Sequence, residues 1–150
     1  MANTFSHLYY HPVFSTKNRN PWITPDIEHR IWAYIGGIAR KNKITALQVG
    51  GIDDHIHTLL SAPPTISASK IAQVIKGDSS YWIRREFESM KQFAWQDGYG
   101  MFSVSRWEAA RVIEYIKNQR RHHETQSFED EFRGLLKVHE IEYDERYLFD

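Results

Sequence analysis

Apolar residues recur along this chain at two periods, and the alternation between them lays out the elements. Phe5 to Ser15, rich in aromatic and β-branched types, predicts a first strand. Thr24-Pro25-Asp26 has the make-up of a helix start, with a capping hydroxyl, a proline at the first helical position and an acid in the first turn. Ile27, Ile31, Ile35 and Ile38 follow at helical spacing, and the helix is expected to stop near Lys41-Asn42-Lys43. Ile44 to Val49 predicts a second strand, Gly50-Gly51 a turn or bulge, and a third strand runs from there to Pro63-Pro64. Ser67 can cap a helix carrying Ile71, Val74, Ile75, Trp82, Ile83 and Phe87 as far as about Met90. Phe93-Ala94-Trp95 and Gly100 to Val104 flank Asp97-Gly98, a hairpin signal. Ser105-Arg106-Trp107-Glu108 reads as a capping box opening a helix to about His123. Ser127 opens a last helix with Phe128, Phe132, Leu135 and Leu136 inward, and Ile141 to Phe149 is an apolar tail expected to dock on a neighbour.

The order strand, helix, strand, strand, helix, strand is the split βαβ pattern. It predicts an α+β, ferredoxin-like antiparallel sheet with helices on one face, followed by C-terminal helices. A length of 150 residues suits a single domain over 1–150. Cysteine is absent, which excludes disulfides and thiolate metal sites, so any metal rests on His, carboxylate, amide or water. No run reaches the length of a membrane span and no secretory signal is evident, so a cytoplasmic location is expected. Formal net charge is zero, which argues against non-specific coating of duplex nucleic acid. The distribution is uneven, however. Five basic residues face two acidic ones between Arg106 and Arg121, and eight acidic residues face three basic ones between Glu129 and Asp150. A basic middle with an acidic tail can hold phosphate locally while the whole stays neutral.

Two stretches carry candidate chemistry. In Asp54-His55-Ile56-His57, strand geometry puts both imidazoles on one face with Ile56 behind them. Paired imidazoles on a rigid strand can supply two ligands to a divalent metal, although read alone they could equally be satisfied polar residues at a strand end. Either Asp53 or Asp54 could orient an imidazole through its second nitrogen, or simply be a turn residue. Some sixty residues on, Tyr115 and Gln119 lie four apart on a predicted helix, at the rim of its core stripe. A phenol there can be a nucleophile if a metal polarises the phosphate it attacks, and Gln119 could give its carbonyl oxygen to that metal. Packing and surface roles are the plain alternatives for both.

Together these stretches resemble one family. His55-Ile56-His57 is similar to the His-hydrophobe-His motif of the HUH nucleases. Tyr115-Ile116-Lys117-Asn118-Gln119 resembles the Tyr-x-x-x-Gln helix of their single-tyrosine transposases, the insertion sequence 200/605-like type that includes the REP-associated tyrosine transposases. Thr16-Lys17-Asn18-Arg19, the segment from Phe93 to Gly100, Phe102 to Ser105, His122-His123 and Ile141 to Tyr147 also look like that family. The resemblance implies that His55, His57 and Gln119 ligate a divalent metal, Mg or Mn, and that Tyr115 is the nucleophile. The reaction would be cleavage and rejoining of single-stranded DNA through a 5′-phosphotyrosine, with recognition of DNA hairpins by a homodimer and no nucleotide cofactor. The absence of a GxxxxGK[ST] loop agrees with the last point. Phosphate contacts are expected from Lys17, Arg19, Lys70, Lys76, Arg84, Lys117, Arg120 and Arg121. His122 and His123 are expected to complement a helix end rather than to bind metal. Two alternatives stay open: a non-catalytic ferredoxin-like nucleic-acid-binding module, and a domesticated relative acting on repeated palindromic sequences.

Overall fold

The computed structural model describes residues 3–150. Four strands, β1 (Leu8–Ser15), β2 (Thr45–Ile52), β3 (His55–Ala62) and β4 (Gly100–Val104), form one sheet in the order β2-β3-β1-β4. Every pairing is antiparallel, as the split βαβ pattern requires. Helices α1 (Glu28–Lys41) and α2 (Ala68–Glu86) cover one face. There Ile31, Ile35 and Ile38 of α1 and Ile71, Ile75 and Ile83 of α2 pack on Phe14, Ile56 and Leu60. The other face carries the C-terminal helices α3 (Ala109–Lys117), α4 (Gln119–His122) and α5 (Phe128–Val138). Leu59 meets Ala109 and Ile116 of α3, while Val13 and Phe102 meet Phe128, Phe132 and Leu136 of α5. Side chains alternate along β3, so Ile56 and Leu60 enter the first core while His55, His57 and Leu59 face the C-terminal helices. Among the described residues no helix is long and apolar enough to cross a membrane.

Several local expectations need correction. Gly50-Gly51 is neither turn nor bulge: β2 runs through it in register to Ile52, and the turn is Asp53-Asp54, with Ile52 paired to His55. The register irregularity of β2 falls instead between Ala46 and Gln48. Gly50 is there for space. A Cβ on it would lie 2.8 Å from the carbonyl oxygen of Ile116 and 2.9 Å from its Cγ2, so the glycine lets α3 lie directly on β2. Gly50→Ala is therefore expected to lift α3 from the sheet and cost about 1–3 kcal/mol, the scale of overpacking, as a lowered thermal midpoint.

Asp97-Gly98 does not join two strands of the sheet. β4 pairs with β1, and Trp95 makes an isolated bridge to Thr16, while its buried indole donates to the Ser79 hydroxyl at 2.9 Å. The helix expected from Ser105 to His123 is broken at Asn118 (φ −99°, ψ 22°) into α3 and α4. Its capping hydroxyl does work as read, with the backbone N–H of Glu108 donating to Ser105 Oγ at 3.2 Å, but regular helix begins only at Ala109. Ser67 and Ser127 cap α2 and α5 as expected. The tail docks through Phe149, which packs on Phe128 and Phe132, whereas Ile141, Tyr143 and Tyr147 stay exposed.

Candidate metal and nucleophile site

The second face of the sheet brings His55 and His57 together with residues from four other elements, β1, α3, α4 and α5. β3 fixes the two imidazoles side by side, fully buried, with ring centroids 5.1 Å apart. Their outer nitrogens face α4 and α5. His55 Nε2 lies 2.7 Å from Gln119 Oε1 and 3.4 Å from Glu131 Oε1, and His57 Nε2 lies 3.0 Å from Glu131 Oε1. Gln119 Nε2 donates to Glu131 Oε2 at 3.0 Å, and the Tyr115 hydroxyl donates to the same oxygen. Tyr115 is half-buried, its ring 5.5 Å from that of His57. His55, His57 and Glu131 form a buried trio whose ligand atoms lie within 4.8 Å of one another, a cluster able to hold a metal ion.

The outer nitrogens are free to point at this cluster because the inner ones are tied. His55 Nδ1 bonds to Asp54 Oδ1 at 2.7 Å, so of the two turn aspartates it is Asp54 that supports an imidazole. His57 Nδ1 lies 2.9 Å from Nε2 of His11, a buried residue of β1 two positions from the direct partner of His57 in the ladder. Such partners fix tautomer and ring orientation. The break at Asn118 also matters: with Gln119 starting a new helix, its side chain is 1% exposed and inside the cluster rather than at a rim.

Electrostatics follow from burial and contacts. Burial alone would raise the Glu131 carboxyl, but the imidazoles of His57, His123 and His55 outweigh it and hold the group far below the usual carboxylate range. Burial opposes charge on His55, yet hydrogen bonds to Asp54, Glu131 and Gln119 raise it to about 9. Burial lowers both His57 and His11, with Glu131 opposing in each case. The Tyr115 phenol is pushed up by burial and by the Glu131 carboxylate.

A pH prediction follows for the metal-free chain. His55, raised when folded, contributes stability that is fully present below about pH 6.5 and lost as pH rises toward 9, on the order of 3 kcal/mol. His57 and His11, lowered when folded, contribute stability present above 6.5 and lost as pH falls. Urea unfolding in chelator should therefore show maximal stability between these flanks, near neutrality, and His11→Phe should soften the acid flank.

Each sequence-predicted residue can now be placed. His55, His57, Gln119 and Tyr115 converge within one chain. Glu131, His11 and His123 join them without having been singled out as site residues. The expected phosphate-binding cations are scattered, and most have partners in the chain. Lys17 pairs with Asp97, Lys117 with Glu114, and Arg120 with Glu28 and Asp53. Lys76 donates to the carbonyls of Asp97 and Gly98 at 2.8 Å each, and Arg84 to that of Phe93 at 3.3 Å. Arg19 sits over the Phe149 ring, and Lys70 reaches Gln73. Arg121 lines an open polar cavity of about 770 Å³ together with His122, whose ring lies 4.9 Å from that of Tyr115. Among the other tyrosines, Tyr34 stacks on Trp82 beyond the first face of the sheet.

A ferredoxin-like sheet with a buried His-His-carboxylate cluster against a tyrosine-bearing helix defines a small α+β domain whose cluster could hold a metal ion. Residues 4–119 match the family model described as "Transposase IS200 like", and the chain belongs to that family. Membership places it among transposases, proteins that bind, cut and transfer DNA.

The transposase for insertion sequence element IS200 of Salmonella typhimurium is 27% identical over 124 residues, covering 79% of this chain and 81% of its own length. The ISDra2 transposase TnpA of Deinococcus radiodurans is 26% identical over 120 residues, covering 75% and 84%. A crystal structure of a putative transposase from Deinococcus radiodurans shares the fold with a TM-score of 0.66 at 24% identity, over 79% of this chain and 95% of that one. The REP-associated tyrosine transposase bound to a REP hairpin does so with a TM-score of 0.59 at 13% identity, over 82% and 74%. The family match ends at Gln119, so His123 and α5 with Glu131 lie beyond it.

Proposed function

We propose that this transposase cuts and rejoins single-stranded DNA with Tyr115 as nucleophile, beside a divalent ion held by His55, His57 and Gln119. The observation that carries the reading is the convergence, in one chain, of the two β3 imidazoles, the Gln119 amide N–H and the Tyr115 hydroxyl on Glu131, with the Gln119 amide oxygen against His55 Nε2. The donor set fits a divalent cation: two neutral-capable imidazole nitrogens, an amide oxygen and a buried carboxylate. Mg or Mn is the expected ion, and when bound it would polarise the scissile phosphate and offset the charge of Glu131.

The protein's own atoms do the rest. Tyr115 Oη attacks phosphorus while the bond to the 3′ oxygen breaks, leaving a 5′-phosphotyrosine and a 3′-hydroxyl. The phenol proton already has a carboxylate partner in Glu131. Rejoining is the reverse displacement by another 3′-hydroxyl, so no nucleotide cofactor is called for. His57 in the metal-free chain carries its proton on Nε2, donated to Glu131, and accepts from His11 at Nδ1. Freeing Nε2 for a ligand reverses that contact, with Nδ1–H donating to His11.

A hairpin-bearing substrate is supported by the ligand named for the REP-hairpin-bound structural relative. A domesticated role on repeated palindromes stays within the same chemistry. A passive binding module is disfavoured, since binding alone has no use for buried, mutually oriented donors beside a phenol. Function as a homodimer is part of the proposal, with each chain using its own tyrosine.

The test is incubation of the full chain with end-labelled single-stranded hairpin DNA and manganese, read on a denaturing gel. A covalent species that disappears with EDTA and with His57→Ala is expected. Activity restored by mixing His57→Ala with Tyr115→Phe protein would overturn the same-chain arrangement, and a manganese-independent adduct would overturn the metal role.

A further inference from the structure

A third imidazole is aimed at the same point. His123, at the end of α4, has a side chain only 4% exposed, and its Nε2 lies 3.1 Å from both Glu131 Oε1 and Gln119 Oε1. Glu131 Oε1 is thus shared by three imidazole nitrogens: His57 at 3.0 Å, His123 at 3.1 Å and His55 at 3.4 Å. All three rings are anchored through the opposite nitrogen. His55 Nδ1 is held by Asp54, His57 Nδ1 by His11, and His123 Nδ1 by the backbone carbonyl of Gln126 at 2.6 Å. All three histidines, two from β3 and one from the end of α4, have Nδ1 tied and Nε2 turned to the Glu131 carboxylate, the orientation that holds a ligating imidazole, with His123 bordering the tight trio of His55, His57 and Glu131. The neighbouring His122 does not share it: it is exposed and lies against Tyr115.

We propose that His123 is a third imidazole donor, and that this centre therefore takes a first-row transition ion in preference to magnesium. The proposal rests on the metal reading above but changes its ligand set and its ion. Imidazole nitrogen favours cobalt, nickel, zinc and, less strongly, manganese, whereas magnesium demands oxygen and gives up water reluctantly. A His-His-Gln site is poised between these classes, and a third nitrogen moves it to the transition-metal side. Glu131 supplies the anionic oxygen that a divalent charge in a buried place requires.

The experiment is titration of the purified full chain with cobalt(II), followed by its visible absorption, and repeated in competition with magnesium. Wild type, His57→Ala, His122→Ala, His123→Ala and His123→Gln are compared, with circular dichroism confirming that each is folded. Wild type should bind cobalt at least about 100-fold tighter than magnesium. His123→Ala should weaken cobalt at least about tenfold, and His122→Ala by less than about threefold. His123→Gln, which retains a side chain able to reach Gln119 and Glu131, should also lose cobalt affinity and narrow the cobalt-to-magnesium ratio. Cobalt affinities of both His123 variants within about threefold of wild type, with His57→Ala defective, would overturn the role of His123 alone. A wild-type chain that binds neither ion would overturn the metal reading beneath it.

Discussion

Tyr115→Phe is expected to abolish the covalent protein–DNA species and to lower strand cleavage by at least about a thousandfold, the scale on which loss of a nucleophile acts. The substitution removes one oxygen and leaves a ring in contact with His57, His11 and His122. The fold should tolerate it. The lost hydrogen bond, made to a charged carboxylate, is worth about 1.5–3 kcal/mol, and Glu131 keeps Gln119 and the imidazoles as partners. Hairpin binding, measured by fluorescence anisotropy with the same DNA, should stay within about threefold of wild type, since a single hydroxyl contributes little to a phosphate-dominated affinity. An adduct that still forms in the Phe variant would move the nucleophile elsewhere.

Glu131→Ala should have the largest effect on stability. The carboxylate is 3% exposed at its side chain and receives Tyr115, Gln119, His57 and His123, with His55 nearby. Removing it leaves a charged His55 and several donors without their shared acceptor. Breaking a buried charged pair from one side costs about 3–5 kcal/mol, a large share of the stability of a domain this size. Urea unfolding in chelator at pH 7 measures it. Glu131→Gln, which keeps volume and one acceptor oxygen, should lose distinctly less. Equal losses for Ala and Gln would mean that packing, rather than charge, holds the cluster together.

The sequence made some of this site legible and hid the rest, for physical reasons. His55 and His57 could be read because a strand has a period of two, so spacing alone puts them on one face. Tyr115 and Gln119 were marked by their place four apart and by family resemblance, though the helix carrying them breaks at Asn118, between them. His11, His123 and Glu131 come from β1, α4 and α5, and only tertiary packing brings them to β3. Glu131 did leave a trace. Positions 128, 131, 132 and 135 form one helical stripe, and an acid on a stripe otherwise filled by Phe128, Phe132 and Leu135 is out of place in a purely apolar core. The sheet was legible from alternation. The role of Gly50 was not, since a glycine that makes room for a helix backbone looks in sequence like one that makes a turn.

The two-residue turn between β2 and β3 has a practical consequence for anyone modifying this protein. Short surface turns are ordinarily the safest places to splice in an epitope tag or to open new termini. Here Asp53 accepts from Ile23 N–H and pairs with Arg120, while Asp54 accepts from Thr16 N–H and steadies His55. An insertion at this tip would unfasten the chain at four places, including the His55 side chain of the buried cluster and the Arg120 of α4, so labels belong at other loops.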